Sequence, residues 1–224
     1  YKNFKNLENS FIRFIEKTPP TGKSIICIDN VNIKKIFSKI KNKNILTYGQ
    51  SSNAQYRISN IRYKTNHSIF DLNYKDLKKK NKKVKNIQLR LLGKHNVLNA
   101  AAAVTVCLNL GVEHNIIKKS LKKFTGVQRR MTKIFSKNQN DFYDDYAHHP
   151  TEISSVLDGV KEVYDKKHIV CIFQPHRISR LKSLKLEFSK CFKKADTILL
   201  CPIYKAGENK KLGFTYSSFA KLLA

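Results

Sequence analysis

Short apolar runs alternate with segments of helical periodicity along the second half of this 224-residue chain. Strands are predicted near 132–136, 141–146, 168–173 and 196–201, and helices near 151–164, 181–193 and 215–223. Strands that alternate with helices usually form a parallel sheet, because each helix returns the chain to the edge where the previous strand began. The pattern therefore predicts an α/β fold with a parallel sheet in this half.

The first half carries the same two kinds of segment in a less regular order. Helices are predicted at 4–16, 31–40 and 114–123, with a longer Ala-rich helix between Gly93 and Gly111. Strands are predicted at 24–29 and 44–49 and across 55–74 and 84–92, with a lysine-rich loop between the last two regions. The stretch FTGVQRRM breaks the pattern and predicts a boundary between domains of residues 1–126 and 127–224.

The formal net charge of +28 makes nucleic-acid binding a hypothesis to consider. Of the 44 basic residues only eight are arginine. The densest basic run, KDLKKKNKKVK at 75–85, contains no aromatic side chain on which a base could stack. A solvated basic loop is therefore favoured, and a nucleic-acid-binding module stays as an alternative. A basic surface also suits an enzyme whose substrates carry several phosphates.

The apolar runs and cysteines limit where the chain can act. None of the runs approaches the ~18 residues of a membrane span, so membrane insertion is not expected. The five cysteines lack CxxC spacing and lie mostly in apolar runs, which favours small buried side chains in a reducing compartment. The first residue is not methionine, and we expect the chain to be a piece of a longer protein.

Ten residues, YDDYAHHPTE at 143–152, carry an unusual density of reactive side chains. Acidic, aromatic and imidazole groups follow an apolar-flanked strand, namely Asp144, Asp145, Tyr146, His148 and His149. Pro150 then suits the first turn of a helix. Ligands of open α/β sheets collect at the carboxyl ends of strands, and helix N-termini favour anions. Helix capping needs only one polar residue, so the stretch indicates a functional site.

The stretch CIFQPHRISR at 171–180 has the same form. A predicted strand is followed by Gln174, His176, Arg177 and Arg180. Because Arg177 and Arg180 are three positions apart, a helical turn would place both on one face. Two guanidinium groups that converge at a strand end can hold a carboxylate or a phosphate by paired hydrogen bonds. A surface loop with salt bridges is the alternative.

A third stretch, GKHNVLNAAAA at 93–103, places His95 and Asn96 at a turn and Asn99 one turn into the predicted helix. Asparagine amides offer a donor and an acceptor together, which matches the edge of a purine. Ordinary N-capping by Asn96 explains that residue equally well. Both interpretations stay open on local chemistry alone.

The chain contains no complete phosphate-binding loop. The nearest string, PPTGKS at 19–24, lacks the first glycine that the motif requires. Arg129 and Arg130 lie at the predicted domain boundary. A cation there could touch a bound nucleotide when two domains close.

The motifs GKHNVLNAAAA, FTGVQRRM, YDDYAHHPTEI and FQPHRISR together resemble those of the Mur ligases in order and spacing. The resemblance covers essentially the whole chain. It implies the end of a P-loop-type central ATP-binding domain, followed by most of a Rossmann-like C-terminal domain that binds an amino acid. The phosphate loop would precede this chain, so we expect the chain alone to have no ligase activity.

The resemblance implies ADP-forming amide ligation in peptidoglycan synthesis. ATP, with Mg²⁺, would phosphorylate the lactyl carboxylate of UDP-N-acetylmuramate, and the amine of L-alanine would attack the acyl phosphate. The PHRISR segment favours the alanine-adding subfamily over the peptide-recycling one, which attaches a tripeptide. The enzyme would be bacterial and cytoplasmic, with no specific nucleic-acid partner, and either monomeric or dimeric.

The resemblance also implies roles for individual residues. Asn96 and Asn99 would contact the adenine, with His95 nearby. Arg130 would reach the phosphates, and Asp145 would meet the ribose. The L-alanine pocket would be lined by Tyr146, His148, His176, Arg177 and Arg180. Of these, His148, Arg177 and Arg180 are the candidate catalytic residues, and His148 would orient or deprotonate the amine. No metal ligand is expected in this part of the protein.

Overall fold

The computed structural model describes residues 3–76, 78–209, 213 and 215–223. The described residues form two compact units, each with its own packed interior. The first comprises residues 1–90 and 95–124, and the second comprises 91–94 and 125–224. The four residues before His95 therefore pack with the second unit.

The first unit contains a mixed sheet with the strand order β1-β2-β3-β4-β5. Its strands are β1 Ser24–Cys27, β2 Ile45–Gly49, β3 Tyr56–Lys64, β4 His67–Lys75 and β5 Asn81–Leu89. The first three strands are parallel, whereas β3, β4 and β5 form an antiparallel meander. The first four helices along the chain are α1 Phe4–Glu16, α2 Val31–Phe37, α3 Lys94–Asn109 and α4 His114–Lys123. The elements predicted for this half are confirmed, with one shift at β5.

The lysine-rich run is only partly a loop. The strand β5 begins at Asn81, so Lys82 and Lys83 pair across the hairpin with Tyr74 and Asn73. The turn before them is held by the Asp76 carboxylate, which accepts hydrogen bonds from the N–H groups of two lysines in the turn, each at 2.9 Å. Because of this turn, β5 begins at Asn81, within the basic run that was predicted to be a loop. The predicted loop is therefore wrong for the second half of the run.

A buried carboxylate joins three strands of this sheet. Asp71 in β4 is only 5% exposed. Its oxygens accept hydrogen bonds from the Asn86 N–H and the Asn60 amide, both at 2.8 Å, and Lys83 Nζ lies 2.9 Å away. Burial raises the pKa of Asp71, but the bonds from Asn86, Lys83 and Asn60 outweigh burial and lower it to about 2. Asn60 and Asn86 have φ values of 51° and 54°, so the carboxylate also holds two irregular points of the sheet.

The second unit has two separate small sheets. Its elements are β6 Thr132–Lys137, β7 Asn140–Asp144, α5 Pro150–Val163, β8 Val170–Phe173, α6 Ile178–Ser183, α7 Lys185–Cys191, β9 Thr197–Leu200 and α8 Tyr216–Leu223. The strands β8 and β9 pair in parallel, as predicted, but β6 and β7 form an antiparallel hairpin. Their turn residues Asn138 and Gln139 have φ values of 50° and 62°, the geometry of a tight hairpin turn. A parallel pair needs a much longer crossover, so a single parallel sheet was wrong for these two strands.

The helix predicted at 181–193 is two short helices. The backbone of Leu184, at φ −121° and ψ 27°, separates α6 from α7. This break lets Leu181 and Phe188 both enter the core of the second unit, where Ile153, Leu157, Phe173 and Phe219 are also buried. In the described part of the chain, no helix is long and apolar enough to cross a membrane.

A close backbone contact packs α5 against the segment before α3. A Cβ atom at Gly159 in α5 would lie 2.8 Å from the Cα atom of Gly93. That distance is shorter than real Cβ atoms allow, so the backbones approach this closely only because position 159 is glycine. Gly93 itself has φ 87°, which favours glycine for a different reason.

We expect Gly159→Ala to destabilise the protein. Alanine favours a helix by about 1 kcal/mol over glycine, but the contact with Gly93 must open, which costs roughly 1–3 kcal/mol in a packed interior. Urea denaturation followed by circular dichroism would measure the net loss. Asp158→Ala, at the neighbouring exposed position of the same helix, is the control that gains propensity without a clash. An increase in stability for Gly159→Ala would contradict the close packing.

We expect Asp71→Asn to lower the free energy of unfolding by about 2 kcal/mol at neutral pH. The folded pKa of about 2 lies below the ordinary 3.8, so this contribution is present above about pH 4 and is lost as the pH falls towards 2. Urea titrations between pH 2 and 7 should show the difference between wild type and variant shrinking in that window. Asp165→Asn, at an exposed position, should show no such difference. A difference that stays constant with pH would contradict the role of the charge.

Candidate functional site

The loop between β7 and α5 is fixed by a carboxylate. Asp145, the first residue after β7, accepts hydrogen bonds from the N–H of Met131 at 2.8 Å and from the N–H of Ala147 at 2.7 Å. The next residue, Tyr146, donates its N–H to the Arg129 carbonyl at 2.8 Å. The backbone of the loop is therefore held against the segment that enters β6.

The same loop ends in a capping box at the start of α5. The His149 ring accepts from the Thr151 N–H, and the Glu152 carboxylate accepts from the N–H groups of His148 and His149 at 3.1 and 3.2 Å. Burial raises the pKa of Glu152, but these two backbone bonds, with the charges of His148 and Arg130, lower it overall. His149 and Glu152 thus cap the helix. Capping was the structural alternative to a functional role for this stretch.

His148 is oriented by the loop rather than used as a cap. Its Nδ1 lies 2.8 Å from the Tyr146 carbonyl oxygen. A carbonyl can only accept, so Nδ1 carries the hydrogen, and Nε2 is the acceptor when the ring is neutral. Nε2 of His148 therefore lies on the side of the ring opposite the bond to the Tyr146 carbonyl.

The second strand end carries the two arginines. Phe173 ends β8, and α6 begins at Ile178. Arg177 lies before the helix with φ 68° and ψ 128°, so the expectation that a helical turn places Arg177 and Arg180 on one face is wrong. Arg177 instead lies in an exposed turn, whereas Arg180 lies in the first part of α6.

Four aromatic rings that follow β7, β8 and β9 form a continuous row. The ring centroids of Tyr146 and His148 are 5.0 Å apart, those of His148 and His176 5.7 Å, and those of His176 and Tyr204 5.4 Å. The terminal tyrosines are half exposed, at 50% for Tyr146 and 57% for Tyr204. Three of these rings were predicted to share a pocket, and the structure places them side by side.

Arg180 packs on the same row. Its Nη1 donates to the His176 carbonyl oxygen at 3.2 Å and lies 3.1 Å from His176 Nδ1. Burial lowers the pKa of His176, and the charges of Arg180, His148 and Arg177 lower it further, while Glu208 opposes them. The surroundings therefore favour a neutral His176 between fixed cations, an arrangement that suits an anionic ligand group.

The residues predicted to contact adenine lie in the first unit. The helix α3 begins at Lys94, so Asn96 lies within its first turn and the N-capping interpretation is wrong. Asn96 is 7% exposed, His95 is half-buried and Asn99 is exposed. Asn96 and Asn99 therefore lie about one helical turn apart, the first buried and the second exposed.

Two predicted nucleotide contacts lie in the second unit. Arg130 is exposed. Asp145 has one hydrogen bond on each carboxylate oxygen, and each oxygen can accept another. Among the described residues, no group of three or more His, Cys, Asp or Glu side chains is placed to hold a metal ion.

Sequence reasoning missed Tyr204 and Glu208. Tyr204 pairs with His176 in an isolated parallel bridge, and Glu208 accepts from Ser179. Both follow β9, and carboxyl ends of parallel strands meet at one edge of a sheet. Polar residues after the apolar run TILLC could have been predicted to reach the site by this rule.

Comparison with known families gives two matches. The family described as "Mur ligase middle domain" matches residues 1–107, and the family described as "Mur ligase, glutamate ligase domain" matches residues 129–223. Together they span the strand-end loops and the start of α3.

Two curated proteins with similar sequences carry the same name. UDP-N-acetylmuramate–L-alanine ligase of Pelagibacter ubique (strain HTCC1062) is 53% identical over 221 residues, which is 99% of this chain and 48% of that protein. The protein of the same name from Brucella anthropi is 39% identical and covers 93% of this chain and 44% of its own length. The chain spans about half the length of the curated relatives it matches.

Solved structures share the fold. UDP-N-acetylmuramate-alanine ligase from Thermotoga maritima matches 99% of this chain and 44% of its own, with a TM-score of 0.71 and 24% identity. A murein peptide ligase from Psychrobacter arcticus matches 89% of this chain and 41% of its own, with a TM-score of 0.59 and 24% identity. The α/β fold expected from the strand and helix pattern is confirmed.

We expect Arg180→Gln to raise the pKa of His176 towards its ordinary value, because a positive charge that disfavours the protonated ring is removed. A titration of the imidazole resonances by NMR would follow the pKa directly. Lys182→Gln, which removes an exposed positive charge from the same helix, is the matched control and should shift the pKa much less. An unchanged pKa in Arg180→Gln would contradict the contact between the two side chains.

Proposed function

The chain belongs to the Mur ligase family, and we propose that it supplies the amino-acid site and part of the ATP site of a bacterial cytoplasmic ligase. The reaction is the ADP-forming ligation of L-alanine to UDP-N-acetylmuramate in peptidoglycan synthesis. The observation that carries the proposal is the row formed by Tyr146, His148 and His176, with Arg180 packed on it. The names of the relatives at 53% and 39% identity support the choice of substrate.

The row offers what the amino acid needs. Arg177 and Arg180 provide guanidinium groups for the carboxylate of alanine, which they can hold by paired hydrogen bonds. The amine must lose its extra proton before it can attack, and Nε2 of His148 is the acceptor that the loop leaves available. Alanine is small, so specificity would need a tight pocket, since one small group changes binding by only about 1–3 kcal/mol.

The chemistry proceeds in two steps. ATP transfers its γ-phosphoryl group to the lactyl carboxylate, which gives an acyl phosphate and ADP. The neutral amine then forms the new C–N bond, and phosphate leaves from the tetrahedral intermediate. In this scheme His148 takes the proton, and the arginines hold the alanine while the bond forms.

We assign the adenine contacts to Asn96 and Asn99, with His95 beside them. Paired amide donors and acceptors suit the purine edge, and Asn99 is exposed on α3. Arg130 serves the phosphates and Asp145 the ribose. Mg²⁺ would accompany ATP, and among the described residues no group of three or more His, Cys, Asp or Glu side chains is placed to hold it.

The basic composition does not favour a nucleic-acid module. The lysine-rich run enters β5, where Lys83 pairs with the buried Asp71 at 2.9 Å. Lys82 lies 3.9 Å from Asp76. These two lysines are therefore already paired with carboxylates, and the run contains no aromatic side chain on which a base could stack.

Phosphate release by the whole protein tests the function. The assay contains ATP, Mg²⁺ and UDP-N-acetylmuramate, with either free L-alanine or the tripeptide that a recycling ligase would attach. Release with alanine alone is expected. Release with the tripeptide alone would replace this function with peptide recycling, and release with neither would reject both ligase functions.

We expect Arg177→Ala in the whole protein to raise the KM for L-alanine by roughly 10- to 100-fold, because a charged hydrogen bond to the carboxylate is lost. The KM for ATP should change far less. Lys193→Ala, which removes an exposed cation of the same unit, should leave both constants unchanged. Equal effects on the constants for alanine and ATP would contradict the role given to Arg177.

A further inference from the structure

The segment from Tyr204 to Glu208 lies against the turn that carries Arg177. We propose that Glu208 is a positioning residue, which holds this turn so that the two arginines can bind the carboxylate of the amino acid. The proposal deepens the proposed function and rests on it. It concerns a residue that does not itself touch the substrate.

The backbone of Arg177 needs support from outside its own turn. Its φ of 68° and ψ of 128° lie in a region that non-glycine residues rarely adopt. Such a conformation persists only where surrounding contacts hold it, and it is concentrated at functional sites. The residue with this conformation is one of the two arginines at the strand end.

Tyr204 supports the turn from one side. The Arg177 N–H donates to the Tyr204 carbonyl oxygen at 2.9 Å, and the Tyr204 N–H donates to the Pro175 carbonyl oxygen at 2.8 Å. These bonds are made by backbone groups, so they do not depend on the Tyr204 ring. They fix the chain directly before and at Arg177.

Glu208 supports the turn from the other side. Its Oε2 accepts from the Ser179 N–H at 2.9 Å, and its Oε1 accepts from the Ser179 hydroxyl at 2.5 Å. Both carboxylate oxygens are therefore bound to one residue in the first turn of α6. Ser179 lies between Arg177 and Arg180, so the carboxylate fixes the short segment from which both guanidinium groups extend.

The charge of Glu208 matters as well as its hydrogen bonds. It acts on His176 with the opposite sign to Arg177 and Arg180. A carboxylate near the turn partly offsets the positive charges of the two arginines. A neutral glutamine keeps the shape of the side chain but has one acceptor oxygen and no charge.

Kinetics of the whole protein distinguish positioning from simple stabilisation. We expect Glu208→Gln and Ser179→Ala each to raise the KM for L-alanine about tenfold, with the KM for ATP changed less than about twofold. The double variant should lose less than the sum of the two single effects, because both single variants weaken the contact between the Ser179 hydroxyl and Glu208. Ser179→Thr, which keeps the N–H and the hydroxyl, should restore most of the affinity. Glu187→Gln, an exposed glutamate of α7, is the matched control.

A lower melting temperature with an unchanged KM for alanine would overturn the proposal, since that is the result of a merely structural contact. Additive effects in the double variant would overturn it too. If the wild-type protein uses the tripeptide and not alanine, the proposed function fails, and the same variants are compared on the KM for the tripeptide. Equal constants for wild type and variants in that comparison would overturn the positioning role separately.

Discussion

Two carboxylates hold the loop on which the candidate site depends. Asp145 binds the N–H groups of Met131 and Ala147, and Glu152 binds those of His148 and His149. Three backbone donors between β7 and α5 and one just before β6 are thereby satisfied, which is the usual requirement where irregular backbone is partly buried. The ring of His148 is then oriented by its own bond to the Tyr146 carbonyl, and the other rings of the row lie beside it.

The chemistry of the site follows from how each imidazole is held. His148 gives its Nδ1 hydrogen to a carbonyl, which leaves Nε2 as an acceptor. His176 lies against Arg180, whose charge adds to burial in lowering the pKa of the ring. One histidine is therefore suited to take a proton, whereas the other is suited to remain neutral and separate the cations. The same residue type has two roles because its neighbours differ.

Periodicity predicted most helices and strands, because it depends on residues near in sequence. It also placed His148 and His176 just after strands, although β7 and β8 belong to different sheets. It did not predict the hairpin of β6 and β7, whose two-residue turn lacks the usual glycine or aspartate signal. Contacts between distant residues were equally hidden, such as the bond from Ser179 to Glu208, 29 positions away. The positive φ of Arg177 is supported by such a distant contact, the bond from its N–H to the Tyr204 carbonyl oxygen.

The most direct test of the amino-acid site is an NMR titration of the histidine rings in the whole protein. L-alanine would be added to protein already saturated with UDP-N-acetylmuramate and a non-hydrolysable ATP analogue. The site described above predicts that the imidazole resonances of His148 and His176 shift. The resonance of His67, the first residue of β4 in the first unit, should stay unchanged. Saturable alanine binding that leaves both His148 and His176 unshifted would contradict it.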